Sequence, residues 1–390
     1  MKKLLISASS LTIVVMAINF LFKIYLSYHI QKDELGIFYT FLDVVSVGVL
    51  GFAGFRDSLV KAYDDEDFQK VFYWYVILFL AIFIISFVGE SIYFFYSGFE
   101  YPYYYMVTLL FFNSLMLFLS YLNMAYKVYR VMLFEPLVMT IFLVAGYFIS
   151  NKLFYAFLLS YISRIVWIVV FSKIEFRYKK APFKDVKNFV KNSFYSSLNY
   201  LFSGLYISLS SLVILHLYKD MDFLGEYQIV VRSIFFSLVA IFVYPLNSFT
   251  FPKISQLISK KEYKEVLRIE RKLLKFLIVM FFLLLFSTLF TKYIISFVFP
   301  KEYHDSYKML NLMLPFLPLI AYTTFSLNII KGFNRFDLAL YVRLLGSAIF
   351  FAIASGLYLL GFDAKAVIYS FDLTFLIMAV QSYIYRRRLI

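Results

Sequence analysis

Residues 276–291 read FLIVMFFLLLFSTLFT, an uncharged apolar run that is long enough to form most of a membrane-crossing helix. Eleven similar runs, bounded by charges or by Pro and Gly, lie on either side of it. The twelve predicted spans lie near residues 6–29, 37–60, 71–94, 103–125, 136–150, 153–172, 193–217, 226–250, 273–291, 309–330, 338–360 and 366–385. With 62% hydrophobic and only 16% charged residues, the chain leaves no room for a soluble catalytic domain. The sequence therefore predicts an all-α, polytopic membrane protein.

The basic residues predict the orientation of these spans. An even number of spans places both termini on one side, and the loops of that side hold 26 of the 38 Lys and Arg residues, against 7 in the opposite loops. By the positive-inside rule both termini are cytoplasmic. Topology and contact with anionic membrane lipids account for the net charge of +14. No nucleic-acid partner is expected.

Several kinds of chemistry are missing from the sequence. The chain has no cysteine, and its three histidines, His29, His216 and His304, are scattered. It contains no Walker motif and no glycine-rich dinucleotide fingerprint, and the longest outer loops hold only about 10 to 17 residues. We therefore expect a transporter, with no metal site and no cofactor, rather than an enzyme.

Two pairs of short stretches indicate an internal repeat. Residues 33–39 (DELGIFY) open the second span, and residues 222–228 (DFLGEYQ) open the eighth, at an offset of 189. Leu122-Asn123 with Arg130 matches Leu327-Asn328 with Arg335 at an offset of 205, in the fourth and tenth spans. A six-plus-six duplication explains both, and its halves have the same orientation because six is even. The sequence thus predicts two six-helix lobes around a central cavity.

The predicted lobes are residues 1–172 and 192–390, joined by a basic cytoplasmic linker at 173–191. Within the linker, Phe183, Val186, Phe189 and Val190 fall on one helical face with lysines between them. Such an amphipathic segment lies on the inner leaflet. The alternative is a solvated loop that only fixes the topology.

Five basic residues lie inside the spans, namely Lys23, Arg56, Arg164, Arg232 and Arg343. Intramembrane charges tend to face a partner or a wet cavity. Lys23 shares one helical face with Asn19 and Ser27. Together with Asp43, Lys23 lies about 9 Å below the outer surface, at 1.5 Å per residue. Arg232, the repeat equivalent of Asp43, lies at the same depth.

These depths allow two interpretations of Asp43. In the first, Lys23 and Asp43 form a static pair within one hairpin, and Arg232 extends outward. In the second, Asp43 switches between Lys23 and Arg232, and the Asp43–Arg232 pair closes an outer gate.

The other embedded polar residues are less specific. Arg164, midway along the sixth span, is expected to face the cavity or an unseen structural partner. Arg56 either receives an anion from the cytoplasm or anchors at headgroups. Asn199 belongs to a polar face of the seventh span that close helix packing would also explain. Asp372 is a candidate cation or proton site.

Backbone signals add two local predictions. Glu135-Pro136 is typical of a helix start, with the acid at the positive end of the helix dipole and Pro at the first position. Gly48, Gly51 and Gly54 predict a bend or close packing in the second span.

Four stretches in chain order resemble the multidrug, oligosaccharidyl-lipid and polysaccharide exporter superfamily, specifically its O-antigen or capsule repeat-unit flippases. They are residues 34–38 (ELGIF), 223–227 (FLGEY) followed by Arg232, 252–255 (PKIS) and 299–303 (FPKEY). The resemblance implies a monomeric flippase in the bacterial inner membrane. It would move an undecaprenyl-pyrophosphate-linked oligosaccharide from the cytoplasmic to the outer leaflet by alternating access, for surface polysaccharide or lipopolysaccharide assembly. A glycan polymerase or synthesis complex is the expected protein partner.

A pyrophosphate carries about two negative charges, and positive side chains in the cavity offset its desolvation. The expected substrate-binding residues are Lys23, Arg164, Arg232, Arg56, Asn19 and Asn199. An inside-negative potential favours outward movement of the anion by about 2.3 kcal/mol per charge per 100 mV, so H⁺ or Na⁺ coupling is not required. Two alternatives remain: a drug or cation antiporter that depends on Asp43 or Asp372, and a membrane scaffold for glycan synthesis.

Overall fold

The computed structural model describes residues 2–63, 68–126, 128–172, 179–333 and 335–390, and these ranges contain helices and no β-strand. Eleven of the helical segments within them are long and apolar enough to cross a membrane. The chain is therefore a multi-pass membrane protein, and the all-α prediction is confirmed.

The second predicted span, 37–60, is divided into two helices in the N-terminal half. The helices of this half are α1 (Lys2–His29), α2 (Lys32–Leu50), α3 (Ala53–Tyr63), α4 (Phe68–Ser97), α5 (Tyr103–Ala125), α6 (Tyr129–Ser150) and α7 (Leu153–Ser172). Between α2 and α3 the chain turns at Gly51 and Phe52, where the Phe52 amide donates to the Val49 carbonyl at 3.1 Å. The three glycines of this span thus produce a break in the helix as well as close packing.

The described part of the C-terminal half contains eight α-helices and four short irregular turns. They are α8 (Phe183–Val213), a π-helical turn (Ile214–Tyr218), α9 (Met221–Glu226), a second π-helical turn (Tyr227–Val231), α10 (Arg232–Ser259), α11 (Tyr263–Val298), a 3₁₀ turn (Lys301–Tyr303), α12 (Ser306–Met313), a further 3₁₀ turn (Leu314–Phe316), α13 (Leu317–Gly332), α14 (Phe336–Leu359) and α15 (Ala366–Arg387). The second π-helical turn ends directly before Arg232, one of the predicted basic residues.

The helix start predicted at Glu135-Pro136 is wrong. α6 begins at Tyr129, and Pro136 lies inside it. Proline within a helix lacks the amide that would bond four residues back. Glu135 is buried and accepts hydrogen bonds from the Ser120 and Asn123 side chains, so its acid serves tertiary packing and not the helix dipole.

The described part of the linker is helical from residue 183 onward and is continuous with the seventh span, whereas residues 173–178 lie outside the described ranges. Val186 and Phe189 on its apolar face are buried. The segment packs on the beginning of α4, where the Trp74 indole donates to the Ala181 carbonyl at 2.9 Å. A solvated loop therefore does not describe 183–191. Contact with the inner leaflet stays a prediction.

By their contacts the helices group into two compact units, residues 1–22 with 41–204 and residues 23–40 with 205–390. These limits differ from the predicted lobes 1–172 and 192–390, because the hairpin of residues 23–40 packs with the C-terminal half of the chain. The relation of the lobes by a repeat stays a prediction. Each unit has an aromatic core: Phe52 stacks on Phe79 in the first, and Phe371 stacks on Phe375 in the second.

Candidate functional site

In the second unit, two of the predicted basic residues lie close together. Arg232 is the first residue of α10, and Lys23 contacts the next residue, Ser233. The Lys23 ammonium, from α1, donates to the Ser233 hydroxyl at 2.7 Å and lies 4.5 Å from the centre of the Tyr39 ring. Arg232 donates from Nη1 to the Gln228 side-chain carbonyl at 3.0 Å. Both cations are only partly buried. We call Lys23, Arg232, Ser233 and Gln228 the cationic site.

The π turn positions these side chains. The Arg232 amide bonds to the Tyr227 carbonyl, five residues back, instead of the carbonyl of Gln228. The Gln228 carbonyl thereby accepts the Ser233 hydroxyl, at 3.2 Å, and Ser233 can accept Lys23 at the same time. π turns of this kind frequently occur at functional sites. The π turn, which has one more residue than an α-helical turn, thus connects both cations through the neutral groups of Gln228 and Ser233.

The network continues into α2. The Gln228 amide donates to the Thr40 hydroxyl at 3.2 Å, and Thr40 donates to the Gly36 carbonyl at 2.8 Å. Gln228 and Thr40 are buried. The 23–40 hairpin therefore contacts the cationic site from both of its helices: α1 provides Lys23, and Thr40 of α2 bonds to Gln228.

The two stretches that indicate the predicted repeat touch each other within this unit. Gly36 and its predicted equivalent Gly225 face each other so closely that a Cβ atom on Gly36 would lie 2.9 Å from the Gly225 nitrogen. Beside them Lys32 pairs with Glu226 at 3.4 Å and with Asp222 at 3.2 Å. Glycine at both positions is required by this contact.

Asp43, Asn19, Arg56 and Asn199 lie in the first unit, and Asp372 lies in the second. Asp43 on α2 is buried, and its pairing with Lys23 or Arg232 stays a prediction. Asn19 donates to the Thr140 hydroxyl at 3.1 Å. Arg56 donates to the Tyr200 hydroxyl at 2.5 Å, and the neighbouring Asn199 has a buried side-chain oxygen without a hydrogen-bond partner in the described part of the chain. A substrate-binding role of these residues is untested.

Three solved structures resemble the chain over almost its whole length. The first is the lipid II flippase MurJ in an inward closed conformation, with a TM-score of 0.73 and 14% identity over 99% of this chain and 87% of that one. The second is a multidrug resistance MATE family transporter of the MOP superfamily in an inward-facing conformation, with a TM-score of 0.73 and 14% identity over 98% of this chain and 97% of that one. The third is a MOP superfamily transporter from Pyrococcus furiosus described with a reversed polarity of its binding pocket, with a TM-score of 0.66 and 15% identity over 99% of this chain and 95% of that one. The chain has the fold of the MOP transporters. No protein-family model matches the sequence, and no curated protein matches it.

Within this MOP fold, the structure gives Arg164 a carboxylate partner. Its guanidinium donates from Nη2 and Nε to one oxygen of Glu135, at 2.8 and 3.1 Å, and from Nη2 to the Ser120 hydroxyl at 3.1 Å. Of the two roles considered for Arg164, these contacts favour the structural pair. The pair joins α5, α6 and α7 of the first unit.

The second unit has a comparable pair that the sequence did not reveal. Arg386 and Glu270 form a 2.5 Å ion pair, and the Tyr322 hydroxyl donates to Glu270 at 3.2 Å. Both charged side chains are less than a tenth exposed. In the sequence, Glu270 and Arg386 belong to charge-rich segments at the membrane surface, so nothing in the local pattern distinguishes them from solvated residues.

Two buried carboxylates lie within spans without an ion pair in the described part of the chain. Asp372 on α15 is buried and has one oxygen without a hydrogen-bond partner, and its role as a cation or proton site stays a prediction. Glu90 on α4 is 6% exposed, and neither of its oxygens has a hydrogen-bond partner. In the predicted span 71–94, Glu90 lies only four residues from the end, where acidic residues are common, so the sequence did not single it out. Among the described residues no group of three or more His, Asp or Glu could hold a metal ion.

Proposed function

We propose that this protein is a flippase for an undecaprenyl-pyrophosphate-linked oligosaccharide in the bacterial inner membrane. The observation that carries the proposal is the cationic site, where Lys23 and Arg232 are connected through Ser233 and Gln228. A guanidinium offers several donors to phosphate oxygens, and an ammonium adds a point charge. A pyrophosphate needs such donors because removing its charges from water is costly.

The MOP fold supports transport across the membrane, and one of the similar structures is a lipid II flippase. Movement of the anion from the cytoplasmic to the outer leaflet is favoured by the membrane potential, at about 2.3 kcal/mol per charge per 100 mV. The potential alone therefore supplies a driving force, and H⁺ or Na⁺ exchange would add to it. We further propose that the protein works as a monomer beside a glycan polymerase or synthesis complex.

The test is removal of each charge without loss of the fold. Lys23→Gln and Arg232→Gln should each abolish surface glycan and flipping of lipid-linked oligosaccharide in liposomes, while membrane insertion persists. Lys219→Gln, which removes an exposed lysine at the end of the first π turn, is the matched control and should transport normally. Normal flipping by both cationic-site variants would refute the proposal.

One observation favours a second function, that of a cation or drug antiporter. Asp372 is a buried acid with an unpartnered oxygen, and such intramembrane carboxylates bind cations or protons. The similar MATE structures include multidrug resistance transporters. Extrusion of a lipophilic cation that is lost in Asp372→Asn and kept in Lys23→Gln would favour this function over lipid flipping.

A further inference from the structure

Glu90 is an acid placed where an ionised carboxylate could not be solvated. It lies seven residues before the end of α4 at Ser97, about 10 Å along the helix at 1.5 Å per residue. Its side chain is 94% buried, and neither oxygen has a hydrogen-bond partner in the described part of the chain. Burying a charge in this way costs several kcal/mol, so the group is stable here only in its neutral form.

The carboxyl group lies against Gly48 of α2. A Cβ atom at Gly48 would collide with the Glu90 carboxyl group, so glycine makes the contact possible. One turn earlier on α4, the Ser86 hydroxyl donates to the Gly48 carbonyl at 2.7 Å. One turn before that, Ile82 lies 3.4 Å from where a Gly51 Cβ atom would be. A single row of α4 residues therefore packs on the last turn of α2, directly before its break at Gly51 and Phe52.

The helices around Glu90 carry few charges that could replace a proton. Asp43 is the titratable residue of α2 within this unit, five residues and about 7.5 Å along the helix from Gly48. The residues Arg56, Asp57 and Lys61 of α3 follow the break in the chain, and Arg56 donates to the Tyr200 hydroxyl. The titratable residues of α5 are all tyrosines, and one of them, Tyr103, bonds to Ser91 beside Glu90.

We propose that Glu90 is a proton-binding site whose neutral carboxyl group forms part of the packing of α4 on α2. When the acid releases its proton to water, the carboxylate needs water around it and the contact with Gly48 is lost. The last turn of α2 is then no longer held against α4, next to the break in the second span. Rebinding of one proton restores the contact. The proton is the ligand, and no other co-reactant is needed.

The bound proton can be observed directly by infrared spectroscopy on the full chain in lipid nanodiscs. The difference spectrum between about pH 5 and about pH 9 should contain a carboxylic-acid C=O band from Glu90, because ordinary exposed acids are ionised throughout this range. The Glu90 component of the band should be missing in Glu90→Gln and unchanged in Glu100→Gln, which alters an exposed acid of the next loop, while a component from the buried Asp372 can persist in both. The same band in Glu90→Gln and in the unmodified chain would overturn the proposal.

The packing change has its own readout, since the chain has no native cysteine. Cysteines placed at Gly51 and Ile82 report on the packing when their crosslinking rate is divided by the rate of the same pair in the Glu90→Gln background at the same pH, which removes the pH dependence of the thiolate. This ratio should be near one at low pH and several-fold lower at high pH, and adding Glu90→Asp should shift its midpoint, which shows that the variants fold. A ratio that does not change with pH would refute the proposal. Neither measurement involves the transported substrate.

Discussion

Buried charges in this protein stabilise the helix packing when they are paired, and the Arg164–Glu135 pair is the clearest case. Glu135 is only 3% exposed and accepts two hydrogen bonds from Arg164 and one each from Ser120 and Asn123. A buried pair contributes little compared with well-packed apolar residues, but removing one partner leaves the other charge uncompensated. The two residues should therefore behave as one unit.

We predict that Glu135→Gln lowers the free energy of unfolding by about 3–5 kcal/mol, the usual cost of breaking a buried pair. The double variant Glu135→Gln with Arg164→Gln should recover part of this loss, and thermal unfolding of purified protein measures both. If Arg164→Gln instead abolished transport at unchanged stability, Arg164 would have the substrate-binding role first expected of it.

Single residues differ in how far the sequence predicts their roles. Lys23 and Arg232 are identified because a charge six residues inside an apolar run has no ordinary explanation. Glu90 and Arg386 are not, since both lie near span ends, where charges are common and the ends are uncertain by a few residues. Glu135 was misinterpreted because Pro136 follows it, whereas α6 continues through both residues.

The helices themselves were predicted well where an apolar run is uninterrupted, as in α5 and α7. The division of the second span into two helices was not predicted, because its three glycines are compatible with either a bend or close packing. The structure contains both: a break at Gly51, and close contacts at Gly48 with Glu90 and at Gly54 with Ser197. The π turn at Tyr227–Val231 leaves no signal in the hydrophobic pattern, although it positions Arg232.

Close packing between helices also gives a prediction for the hairpin of residues 23–40. A Cβ atom at Gly225 would collide with the backbone carbonyl of Lys32, which cannot rotate away. We expect Gly225→Ala to displace the start of α2 and to cost about 1–3 kcal/mol, as overpacking usually does. Crosslinking between cysteines at Lys32 and Glu226, which form an ion pair in the unmodified chain, should fall sharply.

The control for this change is Gly356→Ala in α14, where nothing lies within 4 Å of the added methyl group. Alanine is the better helix former, so this variant should be as stable as the unmodified protein or slightly more stable. Unchanged Lys32–Glu226 crosslinking in Gly225→Ala would show that the hairpin does not depend on the glycine contact.

At the scale of the whole molecule, the distribution of basic residues predicts the topology. Cysteines introduced singly at Ser97 and Asp363 should react with an impermeant thiol reagent in intact cells, whereas one at Ser259 should not. The reason is that 26 basic residues lie in the loops of the Ser259 side and 7 in the opposite loops. Membranes opened with detergent should label all three positions, which controls for accessibility. The reverse labelling pattern would invert the orientation and the direction of export.

We predict that closure of the outer side depends on residues from both halves of the chain. Asp43 and Arg232 are predicted repeat equivalents at an offset of 189, the same offset that relates the touching glycines Gly36 and Gly225. Helices related in this way are expected to approach each other around the repeat axis when the outer side is closed, so an Asp43–Arg232 pair would stabilise the closed state. Either single substitution then leaves one charge unpaired and favours the outward-open state.

Exchange of the two residues tests this pair by a double-mutant cycle. Provided that neither residue also binds the substrate directly, Asp43→Arg combined with Arg232→Asp should recover part of the export lost in each single variant, measured as flipping in liposomes. If Arg232 does bind the pyrophosphate, flipping stays lost in the exchange and crosslinking is the readout of the pair. Cysteines at the two positions should crosslink with a short reagent, and the crosslink should arrest transport until it is reduced. If the exchange is no better than the worse single variant and no crosslink forms, Asp43 is the static partner of Lys23. Closure would then depend on the contact of Gly36 with Gly225 and on the Lys32–Glu226 pair, because these are the places where the two repeat motifs meet.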